Sequence, residues 1–430
     1  MKNFWTETAG EALAPVQLET DIETDIAIIG GGYTGLSSAY HLVKNYGINA
    51  HLLEAHEIGF GCSGRNGGFV SISIGKSDIG SWIKEYGLEQ AQHIMNQGRD
   101  AVRLVRDILQ TEKIDADATE NGGLEIAHKP NRLVRLESYA NLLLNQFGVP
   151  AKILSKTELE DGFLRSREAH GALLYGEGFA LHAMKYLRGL ARATYKQGAY
   201  LYSHSPVQKW EKDGKAHLLY TPKGRVKAKQ VIIASNGYTK DSLHLHLSGR
   251  TLPVLSNIIV TRPLTESERQ SVHWQTHLKV WDSRNLLFYY RLLPDNSLLF
   301  GARGGIYDTE GSRKERRAWL EKRMSEMFPP LSGIKSEYFW NGWVCATYDR
   351  YPHMGSTDND SIHYALGYLG TGVALATFCG KLLAARIAGD DKFAPSPLLA
   401  KKLPIFPFPF LRRFYQMGIY TWFDIQDRFL

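Results

Sequence analysis

Apolar and polar residues follow two different patterns along the chain, and these patterns predict two kinds of structure. Residues 26–29 and 50–54 form short, mainly apolar runs that predict buried strands, and residues 36–44 between them predict a helix. In residues 250–300 apolar and polar side chains alternate, which predicts an antiparallel sheet with one solvated or ligand-facing side. Residues 87–146 have the apolar spacing of helices instead.

A glycine fingerprint connects the first strand to the first helix. Gly30 permits a tight turn, Gly32 lets the backbone approach a pyrophosphate, and Gly35 lets helix and strand pack closely. Glu54, at the end of the second strand, can accept hydrogen bonds from a ribose diol. Because strand, glycines, helix and acid all have the required spacing, this unit predicts a nucleotide site at the positive end of the helix. The residues within the turn and after the acid are expected at the same site: Tyr33, Thr34 and Ala55.

Strands of the nucleotide-binding unit are expected from three separate parts of the chain. The run 231–237 is an apolar strand that ends in a small-residue turn, so Asn236 and Gly237 are expected beside the nucleotide. The uncharged run 364–380 contains a glycine cluster and is short for a membrane span, so we interpret it as a buried helix approaching the cofactor. The prediction is an α/β fold: a discontinuous Rossmann-like domain and a second α+β domain on a largely antiparallel sheet. The expected ranges are 22–85, 165–240 and 338–395 for the first domain, 86–164 and 241–337 for the second, and 396–430 for a C-terminal strap.

Composition narrows the class of protein. The chain has 430 residues, 43% of them hydrophobic and 22% charged, which is ordinary for a soluble globular protein. Its net charge of +7 is spread along the chain, which favours anionic ligands or weak attraction to a membrane surface over nucleic-acid binding. The three cysteines lack the spacing of a metal site or a disulfide framework, so no metal is expected. Without an apolar run of signal-peptide length near residue 1, we expect a cytoplasmic protein.

Two further glycine motifs carry a family resemblance. Residues 61–68 read Gly-Cys-Ser-Gly-Arg-Asn-Gly-Gly, and residues 367–372 read Gly-Tyr-Leu-Gly-Thr-Gly. Together with the fingerprint they resemble FAD-dependent amine oxidoreductases of the D-amino-acid oxidase (glycine/sarcosine oxidase) superfamily, and within it the γ-glutamylputrescine oxidoreductases. The resemblance runs nearly end to end and implies FAD as the cofactor. It also implies that FAD contacts Gly61, Ser63, Gly64, Arg65, Asn66, Gly67, Gly68, Val207, Gly370, Thr371, Gly372 and Val373.

Departures from the family pattern narrow the expected substrate. Amino-acid oxidases of the superfamily clamp the substrate's α-carboxylate with an arginine two residues after the glycine of a Trp-x-Gly segment, and here that position is Val344. An amine with a remote acid group therefore fits better than an α-amino acid. The cysteine that attaches flavin in sarcosine oxidases corresponds to Gly342, while Cys345 lies three positions away, so FAD is expected to be non-covalent. Related γ-glutamylputrescine enzymes often carry histidine where this chain has Thr371, which leaves the exact substrate open.

The expected reaction is transfer of a hydride from the carbon beside the amine nitrogen to flavin N5, followed by hydrolysis of the imine to an aldehyde. The residues expected to line the substrate site are Trp340, Tyr290 and Arg291, with Trp343 and Tyr368 as further candidates. Each is also a typical core or surface residue. Arg303 could pair with a remote carboxylate, although a solvated arginine at the sheet edge is the commoner outcome. His182, His353 and Cys62 lie in or near cofactor segments, although a structural role is the commoner one for such residues.

Several alternatives stay open at this point. The protein could be a dehydrogenase that passes electrons to a membrane quinone and rests on the bilayer through the apolar and basic segment 404–413. It could be a sarcosine or D-amino-acid oxidase, or bind FAD without turnover. An NAD-dependent dehydrogenase would leave residues 63–68 unexplained. The expected partners are a small amine and oxygen or another electron acceptor.

Overall fold

The computed structural model describes residues 1–75, 78–357 and 359–429. The strands are β1 (Ile22–Ile29), β2 (Ala50–Leu53), β3 (Phe69–Val70), β4 (Gly123–Ile126), β5 (Ala151–Leu154), β6 (Ala172–Tyr175), β7 (Phe179–Ala180), β8 (Tyr200–Tyr202), β9 (Lys209–Asp213), β10 (Ala216–Tyr220), β11 (Arg225–Ile233), β12 (Leu252–Pro263), β13 (Lys279–Asp282), β14 (Phe288–Leu292), β15 (Ser297–Arg303), β16 (Ser336–Ala346), β17 (His353–Thr357) and β18 (Ile362–Leu366). The helices are α1 (Phe4–Thr8), α2 (Tyr33–Tyr46), α3 (Ile79–Tyr86), α4 (Leu88–Thr111), α5 (Pro130–Phe147), α6 (Lys156–Gly162), α7 (Ala183–Lys196), α8 (Glu266–Ser271), α9 (Glu310–Met327), α10 (Gly372–Ala388) and α11 (Arg412–Phe429).

The first sheet has the order β17-β18-β11-β1-β2-β8, with β9 and β10 attached beside β11. The central strands run parallel, because β1 pairs in parallel with β2 and β11, and β11 with β18. Helix α2 connects β1 to β2 and packs against α10. This is the predicted discontinuous Rossmann-like unit, with strands from the start, middle and end of the chain.

The second sheet has the order β16-β12-β15-β14-β13-β4-β6-β5. Its pairs are antiparallel except β13 with β4, so the largely antiparallel sheet predicted from the alternation is present. A separate core lies between this sheet and α9, and includes the buried side chains of Trp274, Tyr290, Phe300 and Phe328. The α/β fold class with a second α+β unit is confirmed.

The sequence predicts a continuous helical pattern over residues 87–146, but the structure has two helices with a short strand between them. Helices α4 and α5 fall in this range, but the four residues of β4 lie between them and pair with β6 and β13. A strand of so few residues has too few positions for its alternating pattern to be recognised between two long helices.

Most side chains of α10 are buried, as expected for a helix inside the molecule. Among the described residues, no helix has both the length and the apolar character that a membrane crossing requires.

The domain ranges stay a prediction. Two strands from ranges expected in the nucleotide domain, β6 and β16, pair within the second sheet. The range expected as a C-terminal strap contains an extended stretch and then α11, whose Tyr415 and Tyr420 contact a buried cluster that includes Val344 and Leu369.

Candidate active site

The turn between β1 and α2 has the tight geometry that the glycine spacing predicts. Gly30 has a φ of +114°, and a Cβ there would lie 2.9 Å from the backbone carbonyl carbon of Ala234. At Gly35 a Cβ would lie 2.0 Å from the carbonyl oxygen of Gly30, so helix and strand meet with no room for a side chain. The helix N-cap residue, Gly32, provides no side-chain cap. The turn therefore brings backbone N–H groups and a positive helix end to one place.

The loop 61–68 is held against this turn by hydrogen bonds. Ser63 Oγ accepts from the backbone N–H of Tyr33 at 3.0 Å. The Asn66 amide donates to the carbonyls of Cys62 and Ser63 at 3.1 and 2.8 Å, and its Oδ1 accepts from Gly68 N at 2.8 Å. These side chains shape the loop, and they place Cys62 at its inner end.

Glu54 lies beside the same turn. Its carboxylate accepts from the N–H groups of Gly31 at 2.7 Å and His56 at 3.0 Å. The turn opens into a cavity of about 750 Å³, the nucleotide cavity. Among its lining residues that the structure describes, Glu54 is the sole carboxylate. The cofactor residues expected from sequence that line it are Gly30, Gly32, Glu54, Ala55, Gly61, Ser63, Val207, Asn236 and Gly237.

A second space of about 780 Å³, the sheet cavity, lies against the second sheet. Cys62 lines both cavities, so the two meet at its side chain. The expected cofactor residues that line the sheet cavity are Asn66, Gly67, Gly370, Thr371 and Val373. The N-terminus of α10 lies here, and no side chain caps it. Its cap residue Thr371 instead accepts a hydrogen bond from Gly75 N at 3.2 Å.

Other expected cofactor residues lie outside both cavities. The side chain of Tyr33 is buried and donates to the carbonyl of Ala183 at 3.0 Å, while Thr34 bonds the hydroxyl of Tyr368 at 2.8 Å. Burial raises the pKa of Tyr33 above its ordinary range. A Cβ added at Gly35, Gly64, Gly68 or Gly372 would lie between 2.0 and 3.3 Å from other protein atoms. Tyr33, Thr34 and these glycines shape the turn, the loop and the start of α10, and they do not line either cavity.

Arg65 and Trp340 are linked to each other by a hydrogen bond, and neither lines a cavity together with the glycine fingerprint. Arg65 donates to the carbonyls of Phe60 and Asn341 at 2.6 and 3.1 Å, and Trp340 donates from its indole to the carbonyl of Arg65 at 2.9 Å. Both line a third cavity of about 550 Å³ beside the N-terminal segment. Arg65 thus links the loop to β16, and the structure puts Trp340 in this link and not in the sheet cavity.

Two substrate-lining candidates on β14 lie away from the cavities. Tyr290 is fully buried in the core beneath α9, against Phe300 and Phe328. Arg291 is 1% exposed, donates to the carbonyl of Leu181 at 2.7 Å, and lies over the ring of Trp5. The alternation along β14 explains the position of Tyr290: successive side chains face opposite sides, so its neighbour faces the cavity.

That neighbour, Tyr289, lines the sheet cavity together with Ser256, and their hydroxyls lie 2.7 Å apart. Sequence reasoning missed both. The signal that could have found them is strand parity, because Ser256 pairs with Arg303, a named candidate that also lines the cavity. Val344 lines the cavity as well.

The remaining candidates have structural partners. His182 caps α7 by accepting from Lys185 N at 3.1 Å, and burial lowers its pKa to about 3. His353 lies 3.0 Å from Asp349 and 2.8 Å from the carbonyl of Lys401. Burial raises the pKa of Cys62 to about 12, so its thiol is protonated at neutral pH. Trp343 lines the nucleotide cavity, whereas Tyr368 is buried.

The two joined cavities fit an elongated dinucleotide cofactor. One end offers Glu54 for a ribose diol and helix N–H groups for phosphates, with backbone approach that a Cβ at Gly30 would block. The other end offers the uncapped N-terminus of α10 to a ring system that gains negative charge. The residues present therefore fit FAD.

Comparison with known proteins agrees with this fit. Residues 25–386 match the family described as FAD dependent oxidoreductase. The chain is 33% identical to γ-glutamylputrescine oxidoreductase of Escherichia coli K12 over 419 residues, covering 96% of this chain and 94% of that protein. It is also 33% identical to a probable oxidoreductase, OrdL, of Haemophilus influenzae over 379 residues, covering 87% and 85%.

A solved glycine oxidase from Geobacillus kaustophilus shares the fold. It superposes with a TM-score of 0.71 at 23% identity, covering 88% of this chain and 99% of that one. Since the family match spans most of the chain and the cavities fit the family's cofactor, the protein belongs to the FAD-dependent oxidoreductases of the D-amino-acid oxidase superfamily.

Proposed function

We propose that the protein oxidises an amine of the γ-glutamylputrescine kind, in which an acid group lies away from the reacting nitrogen. The observation that carries the proposal is the sheet cavity, which joins the nucleotide cavity at Cys62 and has the uncharged Val344 in its wall. Valine cannot pair with the α-carboxylate of an amino acid. The 33% identity to γ-glutamylputrescine oxidoreductase over nearly the whole chain supports the same substrate class.

The chain's own residues bind and orient the amine. The rings of Phe69 and Tyr289, with centroids 5.9 Å apart, form an apolar wall for an aliphatic chain. Such a wall excludes water and favours the neutral amine over the ammonium. A bound FAD would supply the acceptor for the hydride on the carbon beside the amine nitrogen. The imine that remains takes up water and releases an aldehyde and ammonia.

If the amine binds in its neutral form, these reaction steps need no protein base. Tyr289 and Arg303 line the cavity from the second sheet together with Glu125, Tyr175 and Asp282, and burial moves the pKa of Tyr289 upward and that of Arg303 downward. The raised pKa keeps Tyr289 protonated at neutral pH, and Arg303 keeps its charge because the ordinary pKa of arginine lies far above 7. The proposed role of this part of the site is positioning, which can supply much of a rate enhancement.

We propose that FAD is held without a covalent bond, by the fingerprint, Glu54, loop 61–68 and the start of α10. Cys345 is buried in a core cluster with Ile233 and Leu247, which keeps its sulfur from a cofactor in the cavities. The protonated thiol of Cys62 supports the same proposal. Acid precipitation of the protein is expected to leave all of the flavin in the supernatant, and flavin retained in the pellet would contradict it.

The experiment for the reaction is an anaerobic titration of the purified holoprotein, followed by the absorbance of oxidised flavin. We expect bleaching by γ-glutamylputrescine, and little or none by putrescine, sarcosine or D-alanine. Bleaching by D-alanine or sarcosine would overturn the argument from Val344. A flavin that none of the four amines bleaches would contradict the proposed substrate class.

A second candidate function is an amine dehydrogenase that passes electrons to a quinone at a membrane surface. The observation that favours it is the C-terminal apolar face, a set of large exposed side chains on α11 and the segment before it. These are Phe408, Phe410, Phe414, Met417, Trp422 and Ile425. Aromatic side chains of this kind bind the headgroup region of a bilayer. Full turnover with oxygen as sole acceptor, unchanged by vesicles that contain quinone, would contradict this candidate.

A further inference from the structure

Arg303 is the last residue of β15, at the edge of the sheet cavity next to the glycine loop that starts α10. A Cβ at Gly370 would lie 2.6 Å from its Nη2, so the guanidinium packs directly on that loop. In the sheet, Ser256 of β12 pairs with Arg303 on one side and with Gly342 of β16 on the other. The arginine and Val344 thus line the same cavity from strands on either side of β12.

No carboxylate neutralises this arginine. Within residues 1–75, 78–357 and 359–429, the guanidinium makes one hydrogen bond, from Nη2 to the carbonyl of Leu369 at 2.6 Å, and no ion pair. Burial lowers its pKa, and the hydroxyls of Tyr420 and Tyr289 act in the opposite direction. The described carboxylates that line the same cavity, Asp78, Glu125 and Asp282, form no ion pair with it. Four other arginines of the second sheet and its helices have acid partners, namely Arg262, Arg284, Arg313 and Arg323, whereas Arg291 of β14 donates to a backbone carbonyl.

A partly buried cation without a counter-ion is costly unless a ligand supplies the charge. The Nε and Nη1 donors of Arg303 make no hydrogen bond with a described residue. A guanidinium with free donors on a cavity wall has the geometry for paired hydrogen bonds to a carboxylate. Resting on the proposed function, we propose that Arg303 binds the carboxylate of the substrate.

This assignment divides the amines by their charge. A substrate with a carboxylate gains a charge-assisted contact, whereas a plain diamine brings a second ammonium towards an unpaired guanidinium and is repelled. The enzyme therefore accepts amines that carry an acid group, and it discriminates against diamines of the same chain length. Val344 of β16 cannot make that contact, and in this proposal Arg303 of β15, on the other side of the shared strand β12, makes it instead.

A purely structural role for Arg303 has a different signature. Leu369 has a φ of +43°, and the hydrogen bond from Arg303 could serve only to hold this residue and the glycine loop. If so, substitution would loosen FAD and affect all ligands alike. If the arginine binds a carboxylate, substitution would weaken acidic ligands alone.

The test measures binding to the holoenzyme by calorimetry, without turnover. The probes are γ-glutamylbutylamide, which lacks the reacting amine, and the same molecule with its carboxylate replaced by a carboxamide. We expect wild-type protein to bind the acid roughly 10- to 100-fold more tightly than the amide, the range for a hydrogen bond between charged groups. In Arg303→Gln the two affinities become equal, while Arg303→Lys keeps part of the difference and both variants retain FAD.

The matched control is Arg103→Gln, which removes one positive charge from an exposed ion pair on α4. It should keep the full preference for the acid. Equal affinities in wild-type protein, or an undiminished preference in Arg303→Gln, would overturn the proposal for Arg303. If wild-type protein prefers the acid but oxidises no amine, the proposed function fails and the carboxylate site stands. If γ-glutamylputrescine bleaches the flavin and putrescine does not, while Arg303→Gln still prefers the acid to the amide, the inference for Arg303 alone fails.

Discussion

The two cavities that meet at Cys62 are built in different ways. The nucleotide cavity is made by backbone at the ends of parallel strands, where glycines keep side chains away, and by one carboxylate, Glu54. The sheet cavity is made by side chains of an antiparallel sheet, such as Tyr289 and Arg303. A backbone site has a spacing that can be recognised in the sequence. A side-chain site depends on which face each strand position takes, and a shift of one residue reverses it.

The largest expected effect is on the backbone side. Gly35→Ala puts a Cβ 2.0 Å from the carbonyl oxygen of Gly30, and neither atom belongs to a flexible side chain. We expect about 3 kcal/mol or more of lost stability and a protein purified without FAD. Thermal unfolding and the ratio of flavin to protein absorbance measure this. Gly162→Ala, where a Cβ meets nothing within 4 Å, is the control and should stay yellow and stable.

On the side-chain side, adjacent tyrosines of β14 should behave differently. Tyr290→Ala empties a site packed by Trp274, Phe300 and Phe328, and should lower the free energy of unfolding by about 3–5 kcal/mol. Tyr290→Phe should be neutral or stabilising, because the buried hydroxyl has no hydrogen-bond partner among the described residues. Tyr289→Phe should instead raise KM with little change in stability. Denaturant titration and steady-state kinetics separate the two, and equal effects on KM would contradict the parity of the strand.

The second sheet also contains a buried cation, whereas the described lysines that line the nucleotide cavity are exposed. Lys279 is 1% exposed, and its ammonium donates to the carbonyl of Val70 at 2.5 Å and to Ser71 at 3.0 Å. Burial lowers its pKa to about 7, so between about pH 7 and 10 the unfolded chain binds more protons than the folded one. Stability from this group therefore rises with pH across that window.

Lys279→Met should remove this slope and stabilise the protein at and below about pH 7, where the buried charge is present. The midpoint of urea unfolding at several pH values is the measurement. Lys314→Met, on the exposed face of α9, should leave the slope as it is. An unchanged slope in Lys279→Met would be evidence against a depressed pKa.

A smaller effect is expected at the single carboxylate of the nucleotide cavity. Glu54→Gln keeps one acceptor oxygen for the N–H groups of Gly31 and His56, replaces the other with a donor NH2 group, and removes the charge. FAD affinity should fall roughly 10-fold, with the fold intact, because a charged acceptor is replaced by a neutral one. Fluorescence of released FAD measures the Kd. An affinity equal to that of wild-type protein would mean that backbone alone determines binding on this side.

The smallest effect is expected far from both cavities. Phe410 is 78% exposed on the C-terminal apolar face. Phe410→Ser with Phe414→Ser should leave turnover with a soluble acceptor unchanged and abolish co-sedimentation with phospholipid vesicles, if the quinone-linked function holds. Co-sedimentation that is absent in wild-type protein would remove the main support for that function.

The sequence predicted the backbone side of the molecule well. The strands around residues 26–29 and 50–54 and the helix between them lie where the fingerprint requires, although α2 begins at Tyr33, inside the turn, because the two residues after Gly32 are already helical. The FAD-dependent family and the fold class are confirmed. The individual FAD contacts stay a prediction, since several of the expected residues line the two cavities and others support them from beneath.

The side-chain part of the site could not be predicted, because the alternating pattern shows that residues form a strand but does not show which alternate residues face the ligand. The alternation of residues 288–292 was visible, yet nothing local says whether Tyr289 or Tyr290 faces a ligand. For Arg303 the sequence left open a pair with a remote carboxylate and a solvated position at the sheet edge, because its surroundings depend on packing from distant segments, including α11. The helical form of residues 412–429 also went unrecognised, because its outer face carries apolar side chains as well.

The strand order of the first sheet has a consequence for biosynthesis. The neighbours β1, β11 and β18 come from residues 22–29, 225–233 and 362–366, so about 340 residues separate the first from the last. A ribosome adds roughly 5–20 residues per second, so β1 leaves it some 17–70 s before β18 does. Until then the parallel sheet lacks an edge, and exposed strand edges invite pairing with other chains. The edge of β11 that pairs with β18 therefore stays open until nearly the whole chain is made, and the complete flavin site forms late in synthesis.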